Sequence, residues 1–296
     1  MKIKLGSRAS NLALIQAHSI KDLLEKDTSI EVEIIEISTK GDRILDRPID
    51  QLNEKGVFVR EIEKELLNGK IDIAVHSMKD MPSDIVEGLI FVDPPKAAPP
   101  EDVFVGKSDI NSLYDLEGKK VGTGSNRRRS QLSKHLNQID LQGIRGNIET
   151  RLKKIQTENL DGIFLARAGL VRAGYEDKIN FIADPTKIIP SPCQGILAIQ
   201  VRQEDYALIE KLRAFADPFS TLRMKTERAF QKALAATCES PIGIYTNLKD
   251  DQVHLYACYA ENPEDELIYK EIQGPVEDSL QLAIRLAEKL KERDHA

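Results

Sequence analysis

The amino-acid sequence predicts an α/β protein with two doubly wound lobes and a small α+β domain at its C-terminal end. Strand and helix patterns alternate over residues 1–95, and the alternation starts again after a segment with four prolines at 93–101. From about residue 215 the pattern changes to a helix, three alternating strands and a closing helix. Strands that alternate with helices favour a sheet covered on both faces, whereas successive alternating strands favour an antiparallel sheet.

The first lobe begins with three predicted strands and two predicted helices. The strands are Lys2–Leu5, Glu31–Ser38 and Ile71–Val75, and the helices follow Ser10 and cover Phe58–Asn68. Ser10 or Asn11 can cap the first helix, whose apolar residues recur on one face. Gly69 ends the second helix, because glycine is favoured just past a helix C-terminus.

The second lobe repeats this organisation over residues 96–194. Its predicted strands are Val103–Val105, Lys120–Gly122 and Gly162–Leu165, and its helices are Arg128–Leu136 and Glu149–Thr157. The apolar segment Gly195–Val201 has no helix of its own, so we expect it to cross back and complete the first sheet. The first lobe then comprises residues 1–95 and 195–214. Two lobes joined by two crossings form a hinged cleft, which is a usual place for a ligand.

The third domain covers residues 215–296. It is predicted to contain the helix Thr221–Ala236, the antiparallel strands Ile242–Asn247, Gln252–Ala260 and Leu267–Ile272, and the amphipathic helix Val276–Arg293.

Composition narrows the class of function. The net charge of −6 argues against a nucleic-acid partner and makes local basic clusters more informative. No apolar run reaches the roughly 18 residues of a membrane span, and the N-terminal residues lack a signal-peptide core. We therefore expect a cytoplasmic protein with no membrane partner. Its three cysteines have no metal-ligand spacing, so we expect neither a disulfide framework nor a metal.

A polar motif follows the predicted strand Ile71–Val75. It places His76, Ser77, Lys79 and Asp80 within five residues, at the carboxyl end of a strand, where open α/β sheets present ligand-binding groups. An aspartate beside a lysine can stay charged in a cleft and still exchange protons with a bound amine. The alternative is a surface turn with an ordinary Lys–Asp pair, and a lone histidine is more often a core residue.

Three basic segments point to a ligand with several carboxylates. Thr123–Arg129 follows a strand and opens a helix, where backbone N–H groups and arginines bind anions together. Gly143–Asn147 with Arg151 repeats this chemistry, and Arg8 supplies it in the first lobe. Arginine holds carboxylates in a bidentate manner. The alternatives are a solvated helix face, a nucleic-acid patch or a phosphate site.

Cys238 lies in a predicted loop between a helix and a strand, within the motif CESPIG. On residue type alone, a buried structural thiol is the ordinary interpretation of such a cysteine.

From about residue 3 to about residue 292, the sequence resembles the hydroxymethylbilane synthase family, also called porphobilinogen deaminase. The motifs that carry the resemblance occur in the family's order. They are GSRASNLALIQA, STKGDRILD, EKGVFVREIE, AVHSMKDMP, GTGSNRRRSQL, GIRGNIETRL, LARAGLVRAG, the CQG after Pro192, and CESPIG.

The resemblance implies a fold, an activity and a cofactor. The fold is two periplasmic-binding-protein-like lobes with a cofactor-bearing third domain, in a monomer. The activity joins four porphobilinogen molecules head to tail with release of ammonia, and gives linear hydroxymethylbilane for tetrapyrrole (haem) biosynthesis. The pyrrole chain grows on a dipyrromethane cofactor, which a cysteine thioether holds.

The resemblance also implies roles for individual residues. Asp80 and Lys79 match catalytic positions, and Cys238 matches the thioether cysteine, which replaces the structural interpretation given above. The remaining cofactor-binding positions match Ser77, Thr123, Ser125, Arg127, Arg128, Arg145 and Gly146, with Asp80 and Lys79 contributing again. The substrate-binding positions match Arg8, Ser10, Lys55, Arg145, Arg151 and Gln194.

The family chemistry suits these residue types. Loss of ammonia from porphobilinogen leaves a cationic azafulvene, which the Asp80 carboxylate would stabilise after assisting departure of the amine. Asp80 is also the natural acceptor for the proton that the attacked ring carbon loses. Each ring carries two carboxylates, so the cleft needs many cations.

Three positions depart from the family pattern. Ala236 and Thr237 stand where two glycines commonly precede the cysteine, so the loop geometry is expected to differ. Gln51 stands where some members carry a lysine. Cys193 adds a second thiol near the predicted cleft.

Two other classes of protein remain as alternatives. A binding protein could use two lobes and an arginine-rich cleft to hold a dicarboxylate, but it would have no need of the cysteine loop. A DNA-binding regulator would need a helix-turn-helix segment ahead of the first lobe, and none is present in the sequence.

Overall fold

The computed structural model describes residues 1–38, 59–235 and 240–292. The strands are β1 Lys2–Arg8, β2 Glu31–Ile37, β3 Ile73–Ser77, β4 Leu89–Phe91, β5 Asp102–Gly106, β6 Lys120–Gly122, β7 Asp140–Gln142, β8 Gly162–Ala166, β9 Phe181–Ile182, β10 Leu197–Arg202, β11 Ile242–Lys249, β12 Gln252–Tyr259 and β13 Ile268–Pro275. The helices are α1 Asn11–Leu24, α2 Arg60–Leu67, α3 Asn126–His135, α4 Ile148–Thr157, α5 Arg167–Arg172, α6 Tyr206–Arg213, α7 Pro218–Leu234 and α8 Ser279–Lys291.

The chain forms two compact units. The first contains residues 1–97 and 196–224, and the second contains residues 98–195 and 225–296. The division into three domains at 1–95 with 195–214, 96–194 and 215–296 stays a prediction. None of the described helices combines the length and apolar character needed to cross a bilayer.

The first unit is built on one mixed sheet in the order β2-β1-β3-β10-β4. β1 pairs in parallel with both β2 and β3, whereas β10 runs antiparallel to β3 and β4. The segment expected to cross back therefore does complete this sheet. The strand starts at Leu197 and not at Gly195, because Gly195 has φ +91°, a turn conformation.

The core of the first unit is aliphatic. Ile3, Leu5, Ile73 and Ile199 are buried with residues of α1 and α6, such as Ile20. Because β1 and β3 are parallel, their carboxyl ends lie at the same edge of the sheet. This edge carries the motif that follows β3.

The second unit contains a five-stranded sheet and a three-stranded sheet. The larger sheet has the order β7-β6-β8-β5-β9, with β6 parallel to β7 and β8. Phe104 and Phe164 are buried on it with Leu132 of α3. The smaller sheet is the predicted antiparallel meander β11-β12-β13, and α7 and α8 cover one of its faces with residues such as Phe230 and Leu286.

The structure confirms the predicted fold class, and it adds five short elements. β4, β7 and β9 have three residues or fewer, which is too short to show a strand period. α5 and α6 have six and eight residues and were not predicted. The closing helix is preceded by a 3-10 turn at Val276–Asp278, so its α-helical part begins at Ser279 and not at Val276.

Candidate functional site

The polar motif of the first unit lies where β3 ends. Ser77 is the last residue of β3, and Met78–Asp80 form a 3-10 turn directly after it. Met78 is 1% exposed, and its N–H donates to Ile196 O over 3.0 Å, which anchors the turn to the segment before β10. Asp80 is exposed at the end of this turn. Asp80 therefore lies just past the end of β3, where the sequence predicts it.

Two side-chain hydrogen bonds lie near this edge of the sheet. Gln16 Nε2 donates to Ser77 Oγ over 2.9 Å, and Ser7 Oγ donates to Ala13 O over 3.1 Å. Arg8 is the last residue of β1 and is half-buried. Ser10 occupies the N-cap position of α1, but its side chain makes no capping hydrogen bond. The predicted cap is thus right in position and wrong in its hydrogen bond.

His76 lies inside the sheet and not at its edge. It is 7% exposed, and its Nε2 has no hydrogen-bond partner among the described residues. Burial is the main reason that the pKa of His76 falls to about 4, and the charge of Arg8 adds to this against the opposing effect of Gln200. Gln200 in turn donates to Glu63 over 2.9 Å. His76 is therefore neutral near pH 7.

The second unit brings two basic segments together at the start of α3. Ser125 is the N-cap of α3 and accepts from the Arg128 N–H, and Asn147 caps α4 in the same way through Thr150. A Cβ on Gly124 would lie 2.6 Å from Ile144 O, so only glycine allows the two loops this close approach. Thr123 is fully buried and its N–H donates to Gln142 O over 2.8 Å.

Arg127 and Arg128 share one buried carboxylate. Asp102 is fully buried, and it accepts from Arg127 Nη2 over 2.7 Å and from Arg128 Nη2 over 2.8 Å. Burial alone would raise the pKa of Asp102, but the two guanidinium charges outweigh it and hold the pKa well below its usual range. Gln194 Nε2 also donates to Asp102 Oδ1, over 2.9 Å, and to Pro100 O.

Arg151 adds a further cation beside this group. Its Nε donates to Gly146 O over 2.7 Å, and Gly146 has φ +111°. Burial and the positive charge of Arg128 both lower the pKa of Arg151. Arg145 is exposed on the loop before α4. Two guanidinium groups thus share a single carboxylate, and Arg151 is close enough to Arg128 to feel its charge, which leaves an excess of positive charge at a helix N-terminus.

Arg172 is a further, partly buried basic residue of the second unit, and the sequence patterns above do not single it out. It ends α5, its Nη2 donates to Gly195 O over 2.6 Å, and burial lowers its pKa to about 10. Its motif, LARAGLVRAG, was already visible in the sequence. The signal that could have found it is a basic residue on the helix that follows a buried strand.

The predicted Cys238 and Lys55 lie outside the described residues. The other two cysteines are buried, with Cys193 1% exposed and Cys258 fully buried. Burial raises the pKa of Cys258 to about 12. Such a thiol is a poor nucleophile, because the thiolate is the reactive form.

The residues of the second unit fit a group that carries several carboxylates. Arg128 Nε is buried without a hydrogen-bond partner among the described atoms, so this guanidinium has a donor to offer. The charge excess and the helix N-terminus favour the same kind of ligand. The sheets and these groups define a class: an α/β protein with an exposed aspartate just past one strand end and an arginine cluster suited to a polycarboxylate.

Comparison with known proteins gives the family. The family model "Porphobilinogen deaminase, dipyromethane cofactor binding domain" matches residues 3–210, and "Porphobilinogen deaminase, C-terminal domain" matches residues 221–292. The chain is 40% identical to "Porphobilinogen deaminase" of Clostridioides difficile, over 97% of this chain and 96% of that one. It is also 40% identical to the proteins of that name from Clostridium novyi, over 97% and 98%, and Bacillus velezensis, over 97% and 93%. The chain therefore belongs to the porphobilinogen deaminase family.

Solved structures of binding proteins are also similar to the chain, at low sequence identity. The L-cystine solute receptor of Neisseria gonorrhoeae is 12% identical with a TM-score of 0.44, over 78% of this chain and 91% of that one. The periplasmic aliphatic sulphonate binding protein of Escherichia coli is 15% identical with a TM-score of 0.41, over 79% and 70%.

Proposed function

We propose that this chain is a transferase that condenses four porphobilinogen molecules head to tail, releases ammonia, and yields linear hydroxymethylbilane for tetrapyrrole (haem) biosynthesis. The two family matches, which together cover most of the chain, support this activity. The structural observation that carries it is the arginine cluster around Asp102. Each pyrrole ring brings two carboxylates, and this cluster has positive charge in excess of its own carboxylate.

Cys238 would hold the cofactor through a thioether. The buried state of Cys193 and the raised pKa of Cys258 support this choice among the three cysteines. When bound, the dipyrromethane supplies the pyrrole end to which new rings are added. The residues proposed to hold its acetate and propionate groups and its pyrrole nitrogens are Ser77, Lys79, Asp80, Thr123, Ser125, Arg127, Arg128, Arg145 and Gly146.

Within that set, we propose two kinds of contribution. Arg128 offers its Nε to a ligand, and Arg145 is exposed. Arg127 donates to Asp102, as Arg128 does, and also to Ile189 O, so its proposed contribution includes holding the start of α3. Gly146 contributes through its backbone, because its carbonyl orients Arg151.

Asp80 is the proposed acid–base group, with Lys79 beside it. Its carboxyl group would protonate the departing amine, stabilise the cation that the substrate then carries, and accept the proton lost from the ring carbon. The buried Met78 fixes the turn while leaving Asp80 accessible. A positioned acid–base group typically contributes about 10²–10⁴-fold in rate.

Substrate binding is proposed for Arg8, Ser10, Lys55, Arg145, Arg151 and Gln194. The Gln194 amide already donates to Asp102 and Pro100 O, so its proposed role includes orienting the buried carboxylate. We further propose that the enzyme is a cytoplasmic monomer with no nucleic-acid or membrane partner. Size-exclusion chromatography coupled to light scattering tests the monomer.

The test of this function is porphobilinogen consumption by Asp80→Ala. We expect nearly complete loss of turnover with an unchanged circular dichroism spectrum. The matched control is Asp84→Ala, which removes a neighbouring exposed carboxylate and should keep normal turnover. Turnover of Asp80→Ala within about tenfold of wild type, or about 1.4 kcal/mol of barrier, contradicts the proposed role.

A further inference from the structure

Gln131 forms an unusual buried bridge in the second unit. It lies on α3 one helical turn after Arg127, and it is fully buried. Its Nε2 donates to Ile189 O over 2.9 Å, and its Oε1 accepts from Ile189 N over 2.6 Å. One side-chain amide therefore satisfies both backbone groups of Ile189, as a neighbouring strand would do.

Ile189 and Pro190 in turn contact β11 of the three-stranded sheet. Ile244 N donates to Pro190 O over 3.0 Å, so this segment extends the edge of β11. A Cβ on Gly243 would lie 2.9 Å from Ile189 O and 3.0 Å from Pro190 O, which shows how closely β11 approaches. Ile189 also packs against Cys258 and its neighbours in the same sheet.

A second contact joins Gln131 to this sheet directly. Tyr269 Oη on β13 donates to Gln131 Oε1 over 3.4 Å. Burial raises the pKa of Tyr269, so its hydroxyl remains a donor across the working pH range. Gln131 is thus hydrogen-bonded both to Ile189, in the segment that pairs with β11, and to Tyr269 of β13.

These contacts join α3 to the three-stranded sheet within the second unit. α3 opens with Arg127 and Arg128, and β11 follows shortly after Cys238 in the chain. We propose that Gln131 is a positioning residue, which fixes the place of the cofactor-bearing sheet against the arginine end of α3. This proposal rests on the function proposed above.

The position matters because the attachment point and the carboxylate-binding groups must keep one spacing. Misplacement of reacting groups by about 1 Å can cost about 100-fold in rate. A residue with only a structural role would lower thermal stability and leave the folded enzyme fully active. A positioning residue lowers kcat in protein that is completely folded.

The experiment is Gln131→Met in the holoenzyme, assayed well below its Tm with circular dichroism as the check of folding. Methionine keeps the length of the side chain and removes all three hydrogen bonds, two to Ile189 and one to Tyr269. We expect kcat to fall about tenfold or more, with KM for porphobilinogen within about twofold, because α3 and its arginines stay in place. The matched control is Ser133→Ala, an exposed residue on the same helix. Folded Gln131→Met with kcat within about twofold of wild type overturns the proposal.

Gly243→Ala provides an independent second variant if Gln131→Met does not fold. The added methyl group would lie 2.8 Å from Cys258 Sγ, 2.9 Å from Ile189 O and 3.0 Å from Pro190 O, so the close approach between β11 and this segment must change. It should lower kcat in the same way, and a wild-type kcat in folded Gly243→Ala also overturns the proposal. Failure of the proposed function itself would differ from both results, since the wild-type holoenzyme would then not consume porphobilinogen.

Discussion

Replacement of Asp102 by asparagine should strongly destabilise the second unit. The substitution keeps the shape of the side chain and removes the negative charge that Arg127 and Arg128 share in a fully buried position. Removal of one partner from a buried ion pair typically costs about 3–5 kcal/mol, because the remaining charge is left uncompensated. For a unit of this size, each 1 kcal/mol corresponds to about 2–4 °C in Tm, so the loss should be about 6–20 °C.

The assay is thermal unfolding of wild type and Asp102→Asn by circular dichroism. The control is Glu266→Gln, which breaks an exposed pair with Lys134 in the same unit and should shift Tm by no more than about 2 °C.

The pKa of Asp102 is held well below its usual range, so the carboxylate contributes fully to stability above pH about 4 and loses this contribution only as the pH falls further. The difference between wild type and variant should therefore be constant from about pH 5 to 8. A loss of less than about 2 °C, or the same loss in Glu266→Gln, would refute the reasoning.

Other consequences of the structure can be measured in the same way. Burial lowers the pKa of His76 from 6.5 to about 4, so the folded state favours the neutral imidazole. The protein therefore has its full stability above pH 6.5 and loses part of it as the pH falls from 6.5 towards 4. The loss should be about 3 kcal/mol, and it should be absent in His76→Gln. The measurement is Tm against pH for both proteins, and parallel curves for wild type and His76→Gln would contradict the burial argument. Gly195→Ala places a Cβ in a steric clash with Ala98 O at φ +91°, whereas Gly174→Ala has φ +74° and meets no atom within 4 Å. We expect Gly195→Ala to destabilise the protein by about 1–3 kcal/mol more than Gly174→Ala, and equal losses in denaturant unfolding would show that the clash is relieved.

The fold class could be read from the sequence because its signals are local. Short apolar strands such as Gly162–Leu165 and the alternation over β11 and β12 are visible within a few residues. The return of the segment after Gly195 into the first sheet was also predictable, since that strand has no helix of its own. β4 and β9 were not predictable, because strands of two or three residues are defined by their partners and not by their own pattern.

The residues of the candidate site were predictable by type but not by orientation. Thr123–Arg129 was correctly placed at a strand end and a helix start. The sequence does not reveal that the side chains of Arg127 and Gln194 point towards Asp102. Asp102 lies in β5, far from both residues in the chain, and its burial depends on tertiary packing. Gln131 was missed for the same reason, since its partner Ile189 is distant in the chain.

The most direct test of the proposed function is the intact mass of the freshly purified protein. The mass should exceed that of the polypeptide by two pyrrole units, and peptide mapping should place the addition on Cys238. A Cys238→Ser variant should lack the addition. A mass equal to that of the bare polypeptide, or the same addition on Cys193, would contradict this assignment.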